Sequence, residues 1–238
     1  MNPIVITGCS YSSIHPYSKF LENDYNVINL ANEGQSNDKI LKDVYDYINK
    51  TKCTDTIFIC QLTYLHRIGF YHNSIGEWVD YQPQCLYPKP KIKDGKVDFL
   101  FSNEIAGLNN SGNYDSNITS ELNSFYKTYL KYIYHDEFNF NSLIYQVDLL
   151  SSFVNQSNNK ILFIYWPEIL NDIQKSLLKD RKFFNIDGEY SMLKWSVSEN
   201  MIGEDSHLSE IGSFNFSLKL KQNYIRFLEN YFFQKKFV

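Results

Sequence analysis

The chain has 238 residues and a formal net charge of -4, with charged residues making up 21% of it. That balance gives no basic footprint for nucleic acid and no polybasic membrane anchor, which sets polyanion binding aside. The length buries one sizeable core, so residues 1–238 are read as a single domain.

Taken in chain order, the first element is Ile4 to Gly8, a short apolar run bounded by polar residues, as a buried parallel strand should be. A second such run is Asn26 to Leu30 and a third is Thr56 to Gln61. Between these two lies "SNDKILKDVYDYINK", where Ile40, Leu41, Val44, Tyr47 and Ile48 share one helical face behind a Ser36 or Asn37 cap. Strand, helix, strand is the order of a parallel sheet with crossover helices.

The alternation breaks from about Ile68 to Asp115. Asp94-Gly95 in "KIKDGKVDF" reads as a hairpin turn and "GLNNSGNYDSN" as a loop. This is an insertion after the third strand, where open α/β sheets build ligand sites, and its expected role is to shape the pocket. Residues 118–155 are helical and aromatic in pattern, with a break around "HDEFNFN". Lys160 to Trp166 is the strongest strand; Pro167 stops it and Glu168 is expected to begin the next helix. A last helix is expected from about Ser209 to Phe233, its apolar side formed by Ile211, Phe214, Leu218, Ile225, Leu228 and Phe232.

Cys9, Cys53, Cys60 and Cys85 have no metal-binding or disulfide-framework spacing and are read as free thiols of a reducing compartment. No export signal and no bilayer-length apolar run is present, so a soluble, cytoplasmic protein without membrane association is expected. Most of the 19 Tyr and 18 Phe are expected to fill the core.

The first strand ends in "TGCSYS". A lone Gly-x-Ser is often only a polar turn. A serine at that place becomes a nucleophile when a base, usually His, is held within hydrogen-bond reach by a third group. His207, in "GEDSHLSEIG", has two acids shortly before it and lies just ahead of the last helix. A carboxylate two or three residues before the ring can reach Nδ1 and leave Nε2 facing the serine. A tetrahedral intermediate needs donors as well. The second strand ends in "NLANEGQSND", where Gly34 lets a backbone N–H approach a substrate, and the N–H of Ser10 is a second donor. A third is expected from "CQLTYLHR", at the end of the third strand.

Gly8-x-Ser10 after the first strand, Gly34-x-Ser36-Asn37 after the second and Asp205-x-His207 before the last helix together resemble the SGNH (GDSL-type) hydrolase family. The chain is most similar to a branch frequent in phage and bacterial genomes that begins "GCSFT" or close to it. The resemblance implies a three-layer α/β/α fold with a mainly parallel, five-stranded sheet and hydrolysis through a serine acyl-enzyme. It assigns Ser10 as nucleophile and first oxyanion donor, Gly34 as second donor, His207 as base and Asp205 as the orienting acid, with Glu204 as competitor. No cofactor or metal is implied. The family's Gly-x-Asn-Asp block aligns with Gln61-Leu62-Thr63-Tyr64, so Thr63 stands where the family has asparagine. The Thr63 hydroxyl or the Gln61 amide is the replacement donor; loss of one oxyanion donor costs on the order of 10²–10³ in rate.

Asn37 is read as a helix cap or loop brace, and His15, Arg67 and Trp78 as substrate contacts, with Tyr81 beside Trp78 as a further stacking surface. His66 and His72, near Glu77 and Asp80, lack metal-ligand spacing. Cys9 ranks below Ser10 as nucleophile because a small inward side chain on a strand is ordinarily core. The expected activity is that of an esterase or deacylase on an acylated carbohydrate or small polar ester. An acyltransferase with the same triad and a catalytically weak binding or structural protein are the alternatives. The sequence leaves oligomeric state open.

Overall fold

The computed structural model describes residues 2–13, 16–65, 67–73, 76–81, 83–84, 91–93, 96–98, 106–108, 120–121, 124–125, 128–129, 131–167, 170–186, 188–203 and 207–225. The chain begins with strand β1 (Ile4–Thr7), two one-turn helices α1 (Ser10–Ser13) and α2 (Ser18–Leu21), and strand β2 (Val27–Asn29). Helix α3 (Asn37–Thr51) and strand β3 (Ile57–Leu62) follow. The insertion holds three antiparallel pairs, formed by β4 (Ile68–His72) with β5 (Glu77–Tyr81), β6 (Pro83–Gln84) with β9 (Ala106–Leu108), and β7 (Lys91–Lys93) with β8 (Lys96–Asp98). Next come helix α4 (Asp136–Gln156), strand β10 (Lys160–Tyr165), and helices α5 (Asp172–Lys179), α6 (Met192–Ser198) and α7 (Glu210–Leu220). Residues Lys221–Ile225 extend α7 as a π-helical turn.

Strands β10, β3, β1 and β2 form one parallel sheet in that order. β1 and β3 are buried along their whole length, which explains their unbroken apolar runs. Alternate side chains feed two cores. Ile4, Ile6, Ile57, Ile59, Leu162 and Ile164 pack on one face with Leu21, Trp195, Phe216 and Leu220. Val5, Phe58, Cys60, Leu62, Ile161 and Phe163 pack on the other with residues of α3 and α4. Helices therefore cover both faces of the sheet, in the α/β/α arrangement.

Four strands form the sheet among the described residues, where five were expected. Parallel bridges Phe163↔Phe183 and Tyr165↔Ser191 put residues 183–191 in the fifth position. The apolar stretch there is too short for a ladder, and the chain turns back on itself at Ile186↔Glu189.

Other boundaries also moved. The helix after β10 starts at Asp172, not Glu168, because Asn171 and Gln174 form a reciprocal capping box. The 118–155 region breaks at 133–135, and the His135 side chain then caps α4. The hairpin expected at Asp94-Gly95 has the pairing Ile92↔Val97, while its turn lies outside the described residues. In α7 the expected apolar side is turned: Ile211 and Phe214 are exposed, whereas Gly212, Ser213, Phe216, Ser217 and Leu220 are buried. The cause is close packing. A Cβ on Gly212 would stand 2.4 Å from the Met201 carbonyl oxygen, so small residues face inward. The expected part of this helix beyond residue 225 lies outside the described residues.

Sheet order decides where a ligand site belongs. The chain enters in the middle at β1, goes outward to β2 and returns to β3 on the opposite side. That reversal opens a crevice beyond the carboxyl ends of β1 and β3, the location at which open α/β sheets bind ligands. Ser10 follows β1 and Thr63 follows β3.

Candidate active site

Gly8 ends β1 because Gln61 of β3 lies against it. A Cβ there would come 2.9 Å from Ser12 Oγ and 3.0 Å from Gln61 Cβ. Cys9 then turns into the core, fully buried, while Ser10 is half-buried at the start of α1. The two nearby serines are differently employed. Ser12 is fully buried; its hydroxyl donates to Gln61 Oε1 at 2.7 Å and lies 3.4 Å from the Tyr17 hydroxyl. Burial raises the Tyr17 phenol well above its ordinary range and keeps it neutral. The Ser10 hydroxyl takes no part in that network.

Gln61 was expected as an oxyanion donor. Its amide nitrogen instead donates to Cys9 Sγ at 3.2 Å and to the Leu62 carbonyl at 3.4 Å, which commits both N–H groups. Gln61 braces the serine loop.

The loop after β2 is tied to the same place. Asn32 donates its backbone N–H to the Gly8 carbonyl at 3.2 Å, and Asn29 Nδ2 donates to the Ser12 carbonyl at 2.8 Å. Gly34 is buried with φ of 76°, a conformation that disfavours any residue with a Cβ. Ser36 caps α3 by accepting from the Lys39 N–H, as expected. Asn37 does more than cap: its side chain donates to the Thr63 carbonyl at 3.0 Å and accepts from the Thr63 N–H at 2.8 Å. Thr63, just past the end of β3, is thus clamped by an asparagine at the start of α3. Thr63 is fully buried, and its Oγ1 has no hydrogen-bond partner.

His207 is half-buried in a loop closed on itself. Gly203 donates to the His207 carbonyl at 2.7 Å, Ile202 bridges Leu208, and the Ser209 N–H and hydroxyl both donate to the Met201 carbonyl. Leu208 is buried in the same core cluster as Cys9. The neighbours of Ser10 and His207 therefore pack on one face of the sheet. Glu204, Asp205, His15 and His66 lie outside the described residues.

The insertion reaches the site through a contact the sequence did not suggest. Asp80 Oδ1 on β5 accepts from the Ser36 N–H at 3.0 Å and the Ser36 hydroxyl at 2.6 Å. Burial raises the Asp80 carboxyl above the usual range, against the pull of those hydrogen bonds. Gly69 on β4 permits the fit, because a Cβ there would fall 2.3 Å from Ser36 Oγ. The β4–β5 hairpin thus straps the start of α3. Nothing in the local sequence paired Asp80 with Ser36, 44 positions earlier.

Trp78 donates its indole N–H to Asp80 Oδ1 at 3.4 Å. It lines a mostly apolar cavity of about 470 Å³ with Leu41, Tyr45, Leu149, Leu150 and Phe153. Arg67 borders a second, polar cavity of about 140 Å³ beside Asn37.

No family model and no curated protein sequence matches the chain. A solved structure does: the psychrotrophic esterase EstA from Pseudoalteromonas sp., in a crystal structure inhibited by monoethylphosphonate. The match has a TM-score of 0.50 and 11% identity, over 96% of this chain and 100% of the esterase. At that identity it establishes the fold, which this chain shares with a bacterial esterase. Among the described residues, no helix is long and apolar enough to cross a membrane.

Proposed function

We propose that the chain is a serine ester hydrolase of SGNH type in which Ser10 is the nucleophile and His207 the base, acting on an acylated carbohydrate or other small polar ester. The observation that carries this reading is the gathering of the loops after β1, β2 and β3 at one topological switch point, with Asn32 bonded to Gly8 and Asn37 clamping Thr63. The packing of Cys9 and Leu208 into one core supports an approach of His207 from the same side. The shared fold with an esterase supports the reaction class.

In this mechanism the Ser10 hydroxyl attacks the ester carbonyl and passes its proton to His207 Nε2, with Asp205 or Glu204 orienting the ring. The oxyanion receives the N–H groups of Ser10 and Gly34. His207 returns its proton to the departing alcohol. Water, activated by the same imidazole, then releases the acid.

Hydrolysis of p-nitrophenyl acetate and of acetylated sugars tests the assignment. Activity should fall to the background rate in Ser10→Ala and in His207→Ala, and unchanged turnover in either variant overturns it. An added alcohol acceptor distinguishes transfer from hydrolysis, because only a transferase yields the new ester as its main product. One observation favours the alternative of a weakly active binding protein: Thr63 is fully buried, which withholds its hydroxyl from a substrate. Saturable binding of an ester that is never cleaved would support that alternative.

A further inference from the structure

Arg67 follows β3 and is 9% exposed. Its backbone N–H bonds to the Tyr64 carbonyl and its guanidinium lies 5.3 Å from the Tyr64 ring centre, but the NH1 nitrogen is buried with no hydrogen-bond partner. Among the described residues no carboxylate forms an ion pair with it. A buried cationic donor lacking an acceptor is costly, and such groups are ordinarily paired.

A second buried donor borders the same space. Asn139, in the first turn of α4, brings a buried Nδ2 there, and its side chain lies against the Tyr129 hydroxyl, which also lines the cavity. Arg67 and Asn139 both line the 140 Å³ cavity, with Asn37, Ser142 and Gln146 as further polar walls. Two donors from separate elements thus border one polar space, and among the described residues nothing there accepts from Arg67 NH1.

The charge around that space selects its occupant. Asp38 also lines the cavity, and its carboxylate accepts from Gln146 Nε2 at 3.1 Å. One fixed cation is therefore opposed by one fixed anion that is already engaged. A monoanion gives Arg67 its missing acceptor and meets less repulsion from Asp38 than a dianionic phosphate would. Carboxylate geometry also suits the paired N–H groups of a guanidinium.

We propose that this cavity is a binding site for a small organic monocarboxylate, held by the Arg67 guanidinium and the Asn139 amide. The proposal does not depend on Ser10 being a nucleophile. The site lies where Arg67 and α4 meet the start of α3, and none of Ser10, Gly34 and His207 lines it.

Calorimetric titration of the full chain at low ionic strength with acetate, propionate, propionamide and inorganic phosphate tests it. Saturable binding of acetate or propionate is expected, with propionamide inert and phosphate weaker. Arg67→Met should cut affinity by about tenfold or more and Asn139→Ala by roughly fivefold. Ser10→Ala should bind as the wild type does, even if it has lost all esterase activity. Should Arg67→Met fail to fold, Asn139→Ala and the amide control still decide the matter. The proposal is overturned if no carboxylate binds saturably, if propionamide or phosphate binds as well as propionate, if a folded Arg67→Met or Asn139→Ala keeps full affinity, or if Ser10→Ala abolishes binding.

Discussion

Asn37 holds Thr63 by both backbone groups, donating to its carbonyl at 3.0 Å and accepting its N–H at 2.8 Å. This pair ties the start of α3 to the end of β3 at the crevice beyond the sheet. It fixes Thr63, the first residue after β3.

Asn37→Ala leaves both backbone groups of Thr63 buried without partners. The expected cost is about 2 kcal/mol in urea unfolding, with a fall in ester turnover of tenfold or more as Thr63 loses its placement. Asn37→Asp keeps the acceptor for the Thr63 N–H but sets a carboxylate oxygen against the Thr63 carbonyl, so it too should lose stability at neutral pH. Wild-type stability in either variant would contradict the clamp.

Ser10 and Ser12 separate function from structure. Ser12→Ala strips Gln61 Oε1 of its buried donor and should cost about 1–3 kcal/mol in thermal or denaturant unfolding. Ser10→Ala should change stability by no more than about 0.5 kcal/mol, as expected for a side chain outside any buried network. The reverse ranking would place the structural role on the wrong serine.

Gly69→Ala inserts a methyl where Ser36 Oγ and Trp78 already lie within 2.9 Å. Over-packing of this kind costs about 1–3 kcal/mol. The cost should appear as faster proteolytic cleavage within the β4–β5 hairpin, since the strap must lift from α3 to admit the extra carbon. Wild-type resistance in the variant would show that the hairpin is not held by this fit.

Asp80 makes the strap sensitive to pH in a definite direction. Burial raises its carboxyl in the folded state, so protons bind the folded chain more readily than the unfolded one. Its contribution to stability is full below the unfolded value and is lost as pH rises through the raised folded value, in a window that opens at the ordinary carboxylate value and extends upward from it. Asp80→Asn, which cannot titrate, should remove this component. The melting temperature of the wild type relative to the variant should therefore decline across that window, and a rise would reverse the sign.

Strands β1, β3 and β10 were legible because they are buried almost throughout, and "IVI", "IFIC" and "ILFIY" are unbroken apolar runs as a result. The Ser36 cap and the inner face of α3 followed from local spacing in the same way. Less legible were features set by distant partners. Ser12 carries no local sign of its bond to Gln61, 49 positions away, and Asp80 belongs to an insertion with no visible link to Ser36. The face of α7 was misread because close approach selects Gly212, Ser213 and Ser217, which carry no hydropathy signal. Arg67 is readable as a ligand contact, but Asn139 is not, since only the meeting of α4 with the end of β3 brings these two buried donors to one cavity.

Treatment with a fluorophosphonate probe at neutral pH, followed by mass spectrometry of the modified peptide, addresses the chemistry most directly. The account predicts a single phosphonyl adduct on Ser10, absent in Ser10→Ala and strongly slowed in His207→Ala. Labelling of Ser12 or Cys9, or a folded protein that takes up no probe, would contradict it.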